Sequence, residues 1–94
     1  MEFEWDPEKN DLNFAKHGIR FDEARLIFEG AVLTSTDNRA DYGEERQTSI
    51  GEIEGIITVV VVHTARNGRV RLISARLANR KERRLYYAFI ASKS

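Results

Sequence analysis

The sequence predicts an α+β fold, in which an antiparallel β-sheet meander packs with N-terminal helices and a C-terminal helix. Helix-capping residues stand near both ends of the chain, and a β-branched run occupies residues 56–63 between them. The Asn67-Gly68 pair is typical of a hairpin turn. Strands joined by such turns are antiparallel, and the helices must cover at least one face of their sheet, so the other face can remain open to a partner.

The first helix is predicted over Pro7–His17. Asp6 is a suitable N-cap, because its carboxylate can accept from free backbone N–H groups, and proline is favoured at the first helical position. Gly18 can adopt the left-handed conformation that ends a helix. Lys16 and His17 then fall in the last turn, where the helix dipole favours cations.

A second helix is predicted over Glu23–Glu29, with Asp22 as its N-cap and Gly30 at its end. A helical spacing of apolar residues predicts that one face of this helix is buried. That face consists of Ala24, Ile27 and Phe28.

Four strands are expected in the middle of the chain. The third is β-branched almost throughout, which predicts a central strand buried on both faces. Residues 37–44 are polar and predict a loop, and Glu54-Gly55 predicts a second tight turn. The predicted strands span residues 31–36, 46–53, 56–63 and 70–78.

The last helix is predicted to begin after Asn79. Asn79 can act as its N-cap, and Glu82, three residues later, can complete a capping box. Apolar residues on one face predict an inward stripe. That stripe consists of Leu85, Tyr86, Phe89 and Ile90.

Length and composition bound the function. A chain of 94 residues predicts one domain over residues 1–94, and the absence of cysteine excludes disulfides, thiolate nucleophiles and thiolate metal sites. The longest apolar run, residues 56–62, is too short to span a bilayer, and no charged-then-apolar leader opens the chain. The expectation is a cytoplasmic protein without a membrane partner.

The formal net charge of zero conceals an asymmetry along the chain. Residues 1–55 contain 14 acidic and 6 basic residues, a net charge of −8, whereas residues 56–94 contain 1 acidic and 9 basic residues, a net charge of +8. A basic face would suit a polyanion such as nucleic acid. The alternative is that the two halves neutralise each other across the fold.

Basic residues cluster on the last predicted strand and helix. Arginine dominates, and its planar guanidinium binds phosphate through two parallel hydrogen bonds while keeping its charge. Regular strand alternation would place Arg71 and Arg76 on opposite faces. The cluster consists of Arg69, Arg71, Arg76, Arg80, Lys81, Arg83 and Arg84.

Arg76 follows apolar residues on its own strand face and therefore needs an anion. The anion is either a ligand or an internal carboxylate. The sequence offers Glu45, Asp37 and Glu82 for an internal salt bridge.

The two histidines permit different interpretations. His17 is a candidate general acid or base, because the unperturbed histidine pKa of about 6.5 lies near neutrality, but it could instead bond to a carbonyl at the helix end. His63 lies in an apolar strand and is expected to be structural. Trp5 and Tyr86 could stack on a nucleobase, but such residues are more often part of the core in a small domain. Ligand spacing for a metal is absent from the sequence, and so is a glycine-rich phosphate loop.

Two multi-residue motifs resemble the signatures of the BrnT toxin family. The N-terminal motif is Phe3-Glu-Trp-Asp-Pro-x-Lys9, followed by Asn13, Lys16-His17-Gly18 and Phe21-x-Glu-Ala24. The C-terminal motif is Arg71-Leu-Ile-Ser-Ala-Arg76-x-Ala78, followed by Glu82-Arg83 and Tyr86. Between them, Asp37 and Glu45-Arg46 fit the family's spacing, so the match covers almost the whole chain.

The resemblance implies a RelE-like fold and a type II toxin–antitoxin ribonuclease that cleaves RNA without a metal ion or other cofactor and inhibits translation and growth. It also implies a BrnA-type antitoxin as partner, with promoter DNA contacted only through that antitoxin. Hetero-oligomers and homodimers both stay open. The alternative is a non-catalytic antitoxin-binding module that acts in an autorepressor complex.

The site implied by the resemblance combines cations with a tyrosine. RNA cleavage needs a deprotonated ribose 2′-OH, positive charge on the pentacoordinate phosphorane, and an acid for the leaving 5′-oxygen. Arginine can supply the charge, and lysine or histidine can transfer the protons. The predicted catalytic residues are Lys16, His17, Arg71 and Arg76, with Arg83 and Tyr86 as secondary candidates, whereas Asp6, Asn13, Glu23 and Glu82 are predicted to be caps and internal partners.

Overall fold

The computed structural model describes residues 1–37 and 44–93 and confirms the α+β fold. Most of the predicted loop at residues 37–44 lies outside the described residues. The elements are β1 (Phe3–Glu4), α1 (Pro7–His17), α2 (Phe21–Ala24), a 3₁₀ helix (Arg25–Glu29), β2 (Leu33–Asp37), β3 (Arg46–Ile53), β4 (Ile57–Arg66), β5 (Arg69–Leu77) and α3 (Arg80–Ser92).

The described strands form one sheet in the order β1-β5-β4-β3-β2. Strands β2 to β5 form the predicted antiparallel meander, and β4 is its central strand. β1 was not predicted from the sequence. It pairs in parallel with β5, placing Phe3 beside Val70 and Glu4 beside Arg71. A two-residue strand has no alternation to detect, so only the tertiary pairing reveals it.

The ends of α1 are those predicted. The Asp6 carboxylate accepts from the backbone N–H of Glu8 at 2.9 Å, and Gly18 adopts a left-handed conformation with φ of 73°. The Gly18 N–H donates to the carbonyl of Phe14 at 2.8 Å. Local capping chemistry therefore fixes Lys16 and His17 in the last turn.

The second helix differs from the prediction. It begins at Phe21 rather than Glu23, has one α-helical turn, and continues as the 3₁₀ helix. The Phe21 N–H donates to the side-chain carbonyl of Asn10 at 2.8 Å, so a contact with α1 satisfies the first turn. Asp22 therefore lies inside the helix and is not its cap. Gly30 does end the segment, but in an extended conformation with φ of −117°.

Both predicted tight turns are confirmed. Glu54 and Gly55 have φ of 54° and 68°, and Asn67 and Gly68 have φ of 54° and 75°. Positive φ at two successive residues gives the turn the same twist as the strands it connects.

A β-bulge interrupts β5. Ser74 lies opposite Val62, whereas Leu72 lies opposite His63, so Ile73 is an additional residue without its own cross-strand partner. One additional residue reverses the alternation of every side chain that follows it.

The bulge places Arg71 and Arg76 on the same face of the sheet, in contrast to the regular alternation predicted from the sequence. Arg71 lies opposite Thr64 and Arg76 lies opposite Val60. Residues four apart on a strand share a face, as do cross-strand partners. We call the face of Val60 and Thr64 the open face, and the other face the covered face.

Helices cover the two faces unequally. The covered face packs beneath α2 and the 3₁₀ helix, and its buried cluster includes the predicted helix residues Ala24 and Ile27. On the open face, α3 buries a smaller cluster around Tyr86, with Phe89 and Ile90 packed against it. Leu85 is 52% exposed, so its prediction as an inward residue is wrong. No helix in the described part of the chain has the length and apolar character needed to cross a membrane.

Gly51 is a regular member of β3 and lies opposite Val59. A Cβ atom at this position would lie 2.7 Å from the Ile27 Cβ and 3.1 Å from the Val32 Cγ1. We expect Gly51→Ala to lower the free energy of unfolding by about 1–3 kcal/mol because of this overpacking. Urea denaturation measures the change, and Gly30→Ala, where no atom lies within 4 Å, should be near neutral. Equal stability of the two variants would contradict this close-packing argument.

His63 has the structural position expected of it. It is buried, and its Nε2 shares a hydrogen bond of 2.7 Å with the Ser49 hydroxyl, which in turn lies 2.7 Å from the Thr34 hydroxyl. The edge of the Phe28 ring meets the imidazole at 5.1 Å between centroids. Burial lowers the pKa of His63 below its usual value, because removal from water disfavours the imidazolium.

This burial predicts acid sensitivity. Because the pKa of His63 is lower in the folded state, the unfolded chain binds more protons as the pH falls below about 6.5, and the free energy of unfolding decreases. Chemical denaturation between about pH 7 and pH 5 should show this decline in the wild type and a smaller slope in His63→Gln. The matched histidine replacement is His17→Gln, at the end of α1, which should retain the decline. If the free energy of unfolding of His63→Gln declined with pH as steeply as that of the wild type, burial of His63 would not be the cause of the acid sensitivity.

Candidate functional site

Asn13 attaches α1 to the edge of β5. The contact lies at Ala75, after the two β5 residues that pair with β1. Its side-chain N–H group donates to the carbonyls of Ala75 and Ile19, each at 2.9 Å, and its Oδ1 accepts from the Ala75 N–H at 3.0 Å. One buried amide thus pairs with both backbone groups of a strand residue. The next turn of α1 therefore lies beside the segment from Ser74 to Arg76.

A cleft of about 590 Å³ opens where the end of α1, the open face and the start of α3 meet. It brings together three of the residues predicted from the sequence to be catalytic, namely Lys16, His17 and Arg76. The Lys16 side chain is exposed and that of His17 is half-buried. The other lining residues are Ser35, Thr36, Thr48, Val60, Val62, Ser74 and Glu82.

Arg76 forms a bidentate ion pair with Glu82. Its two terminal nitrogens lie 2.7 and 2.8 Å from the two carboxylate oxygens, so Glu82, one of the three carboxylates that the sequence offers, is an internal anion for Arg76. Hydrogen bonding from Arg76 lowers the pKa of Glu82 below its usual value. Because Glu82 also forms the capping box with Asn79, the first turn of α3 holds the carboxylate that orients the guanidinium.

The remaining predicted residues lie outside the cleft. Arg71 shares the open face but donates to the Glu4 carboxylate at 2.6 Å. Arg83 is exposed and donates to the Ala78 carbonyl at 2.9 Å. Tyr86 is buried and donates to the Ala31 carbonyl at 2.9 Å, and burial raises its pKa.

The predicted caps and internal partners have these roles at Asp6, Asn13 and Glu82, whereas Glu23 is exposed in the first turn of α2. Trp5 packs edge-on against Phe21 with 6.2 Å between ring centroids, consistent with a core role.

Some basic residues of the second half of the chain form ion pairs with acidic residues of the first half, and others are exposed to solvent. Arg69 and Arg71 pair with Glu2 and Glu4 across β5 and the N-terminal segment. In contrast, α3 presents exposed basic side chains close to the cleft residue Glu82 in sequence, at Arg80, Lys81, Arg83 and Arg84. Both interpretations of the charge asymmetry therefore apply, each to a different part of the surface.

The chemistry available in the cleft is that of cations beside hydroxyl groups, which suits the oxygens of a phosphate group. Across residues 1–37 and 44–93, no group of three or more His, Cys, Asp or Glu side chains is arranged to hold a metal ion. Sequence reasoning missed the hydroxyls of Ser35, Thr48 and Ser74, because only the strand register brings them together.

The fold is that of a toxin from a type II toxin–antitoxin system. Residues 5–82 match the family model described as "Ribonuclease toxin, BrnT, of type II toxin-antitoxin system", and the chain therefore belongs to the BrnT family. Membership of such a system implies an antitoxin partner.

A solved structure agrees with this assignment. The chain is similar to the ribonuclease toxin BrnT of Brucella abortus, known from a crystal structure at 1.1 Å resolution, with 29% sequence identity and a TM-score of 0.64. The match covers 85% of this chain and 99% of that one. No curated protein sequence matches the chain.

Proposed function

We propose that the protein is an endoribonuclease that cleaves RNA without a metal ion, inhibits translation and growth, and is neutralised by a BrnA-type antitoxin. The observation that carries this proposal is the meeting of Lys16, His17 and Arg76 in one cleft. Family membership supports the activity, and the cationic side chains provide the charge and proton transfer that phosphodiester cleavage requires.

Each cleft residue has a role that follows from its setting. Arg76, oriented by Glu82, stabilises the negative charge that develops on the phosphorane. Lys16 adds a mobile positive charge at the helix end, and His17 transfers protons to or from the 2′- and 5′-oxygens. Arg71, on the same face, would contact a flanking phosphate once displaced from Glu4. Arg83 and Tyr86 stay secondary candidates, because neither is among the residues that line the cleft.

The antitoxin must neutralise a cationic surface. We infer that it presents acidic groups to the cleft, because complementary charge favours a stable and specific complex. Residues 1–94 would act as one toxin domain in the cytoplasm, as a hetero-oligomer with the antitoxin or as a homodimer, and would reach promoter DNA only through that partner.

One observation favours the alternative of a non-catalytic binding module. The bidentate pair with Glu82 engages both terminal nitrogens of Arg76, which are the atoms that would contact a phosphate. A protein whose main role is antitoxin binding within an autorepressor complex could retain such a pair unchanged.

An RNA-cleavage assay with purified protein, free of antitoxin, distinguishes the ribonuclease from the non-catalytic binding module. We expect it to cleave RNA in the presence of EDTA and to leave 2′,3′-cyclic phosphate or 3′-phosphate ends, and its induction alone should arrest growth. Intact RNA in vitro together with unimpaired growth would support the binding module instead.

A further inference from the structure

One transverse row of side chains crosses four strands on the open face and forms the floor of the cleft. Ser35 lies opposite Thr48, Thr48 opposite Val62, and Val62 opposite Ser74. Neighbouring strands are about 4.8 Å apart, so the row is about 14 Å long. It ends at Ser74, two residues before Arg76 on the same face of β5.

The hydroxyls of this row are free of partners among the residues that the structure describes. Within the described ranges, no hydrogen bond joins the side chain of Ser35, Thr48 or Ser74 to another group of the protein. On the covered face, by contrast, the hydroxyls of Thr34 and Ser49 belong to the chain of hydrogen bonds that ends at His63. The hydroxyls of Ser35, Thr48 and Ser74 are therefore available to donate to, and accept from, a ligand in the cleft.

The row also has an apolar centre. Val62 is half-buried in the floor, and Val60, beside it, is buried. A flat ligand with a polar edge would meet an aliphatic surface and, around it, hydroxyls that can both donate and accept. This combination matches a nucleobase and its ribose better than a bare phosphate.

We propose that Thr48, Val62 and Ser74 form a nucleotide subsite, which binds the base and ribose of the residue adjoining the cleaved phosphate and sets the base preference. This proposal rests on the proposed function, since it places the phosphate at Arg76 and Lys16. Phosphate contacts give affinity that does not depend on the base, whereas contacts with base edges discriminate. Replacing Arg76 or Lys16 should therefore change the affinity for every RNA, whereas replacing Thr48 or Ser74 should change the preference among bases.

Binding of uncleavable RNA tests the subsite. Fully 2′-O-methylated hexamers of adenosine, cytidine and uridine are titrated against the wild type, Thr48→Val and Ser74→Ala, with fluorescence anisotropy as the readout. We expect wild-type Kd values that differ among the three hexamers, and ratios between them that change by roughly three- to tenfold in each variant, as for loss of one hydrogen bond. Lys16→Ala should weaken binding of all three by a similar factor.

A matched replacement controls for a general effect of losing a hydroxyl. Thr58 lies on the same face of β4 but outside the cleft, and Thr58→Val should leave the Kd ratios unchanged. Thermal unfolding of Thr48→Val and Ser74→Ala should match the wild type, because neither hydroxyl has a hydrogen-bond partner in residues 1–37 or 44–93.

The outcomes separate the two proposals. Wild-type Kd values that are equal for the three hexamers, or ratios that stay fixed in both cleft variants, overturn the subsite, and the proposed ribonuclease stands if RNA is still cleaved. If the wild type neither binds the hexamers nor cleaves RNA, both proposals fail.

Discussion

Replacement of Arg76 by alanine is expected to lower kcat/KM for RNA cleavage by about 10²–10³-fold, the usual cost of losing one group that stabilises transition-state charge. The guanidinium is the cleft cation most firmly oriented, because Glu82 holds it through two hydrogen bonds of 2.7 and 2.8 Å. Cleavage of a fluorogenic RNA, followed with folded protein, measures the change.

Three further variants give this prediction its controls. Arg76→Lys keeps a positive charge but loses the planar fork, so its activity should lie between those of the wild type and Arg76→Ala. Glu82→Gln keeps the size of the side chain that orients the guanidinium and removes its charge, which tests whether orientation depends on the ion pair. Arg84→Ala removes an exposed arginine of α3 and should retain wild-type activity. If Arg76→Ala cleaves RNA as fast as Arg84→Ala, the cleft is not the catalytic site.

Much of the fold follows from local chemistry that a sequence displays directly. The cap at Asp6, the capping box of Asn79 and Glu82, and the Asn67-Gly68 turn depend on residues only two or three positions apart, and all are confirmed. The features that escaped prediction depend on partners far along the chain. β1 exists because it pairs with β5, and α2 begins early because Asn10 reaches the Phe21 N–H.

In the candidate site, too, features set by neighbouring residues were predictable and those set by distant pairing were not. Both ends of α1 and the beginning of α3 were predictable, and so were the positions of Lys16, His17 and Glu82 there. The bulge at Ile73 was not, because regular alternation is the only expectation that a strand sequence offers. That one residue decides which side chains line the cleft, so the hydroxyl floor is a property of the register rather than of any motif.

The second large effect is expected at Asn13. Asn13→Leu would fill a similar volume but leave three buried backbone groups without partners, at Ala75 and Ile19. Each unsatisfied group costs about 1–3 kcal/mol, so we expect the free energy of unfolding to fall by about 3–5 kcal/mol. Small domains have about 5–15 kcal/mol in total, so this variant should be near the limit of folding. Urea denaturation followed by circular dichroism measures the loss.

Asn10→Ala is the matched control, because it removes one hydrogen bond, to Phe21, from the preceding turn of the same helix, and it should cost only about 1 kcal/mol. Asn13 lies three residues before Lys16 and four before His17 on α1. Its side-chain amide is hydrogen-bonded to the backbone of Ala75, the residue before Arg76. The same amide thus sets the distance between the cations of α1 and the arginine of β5. Folded Asn13→Leu, at low temperature, should therefore lose RNA cleavage beyond its unfolded fraction, whereas Asn10→Ala should not. Equal stability of the two variants would show that α1 is attached to the sheet mainly by its apolar contacts.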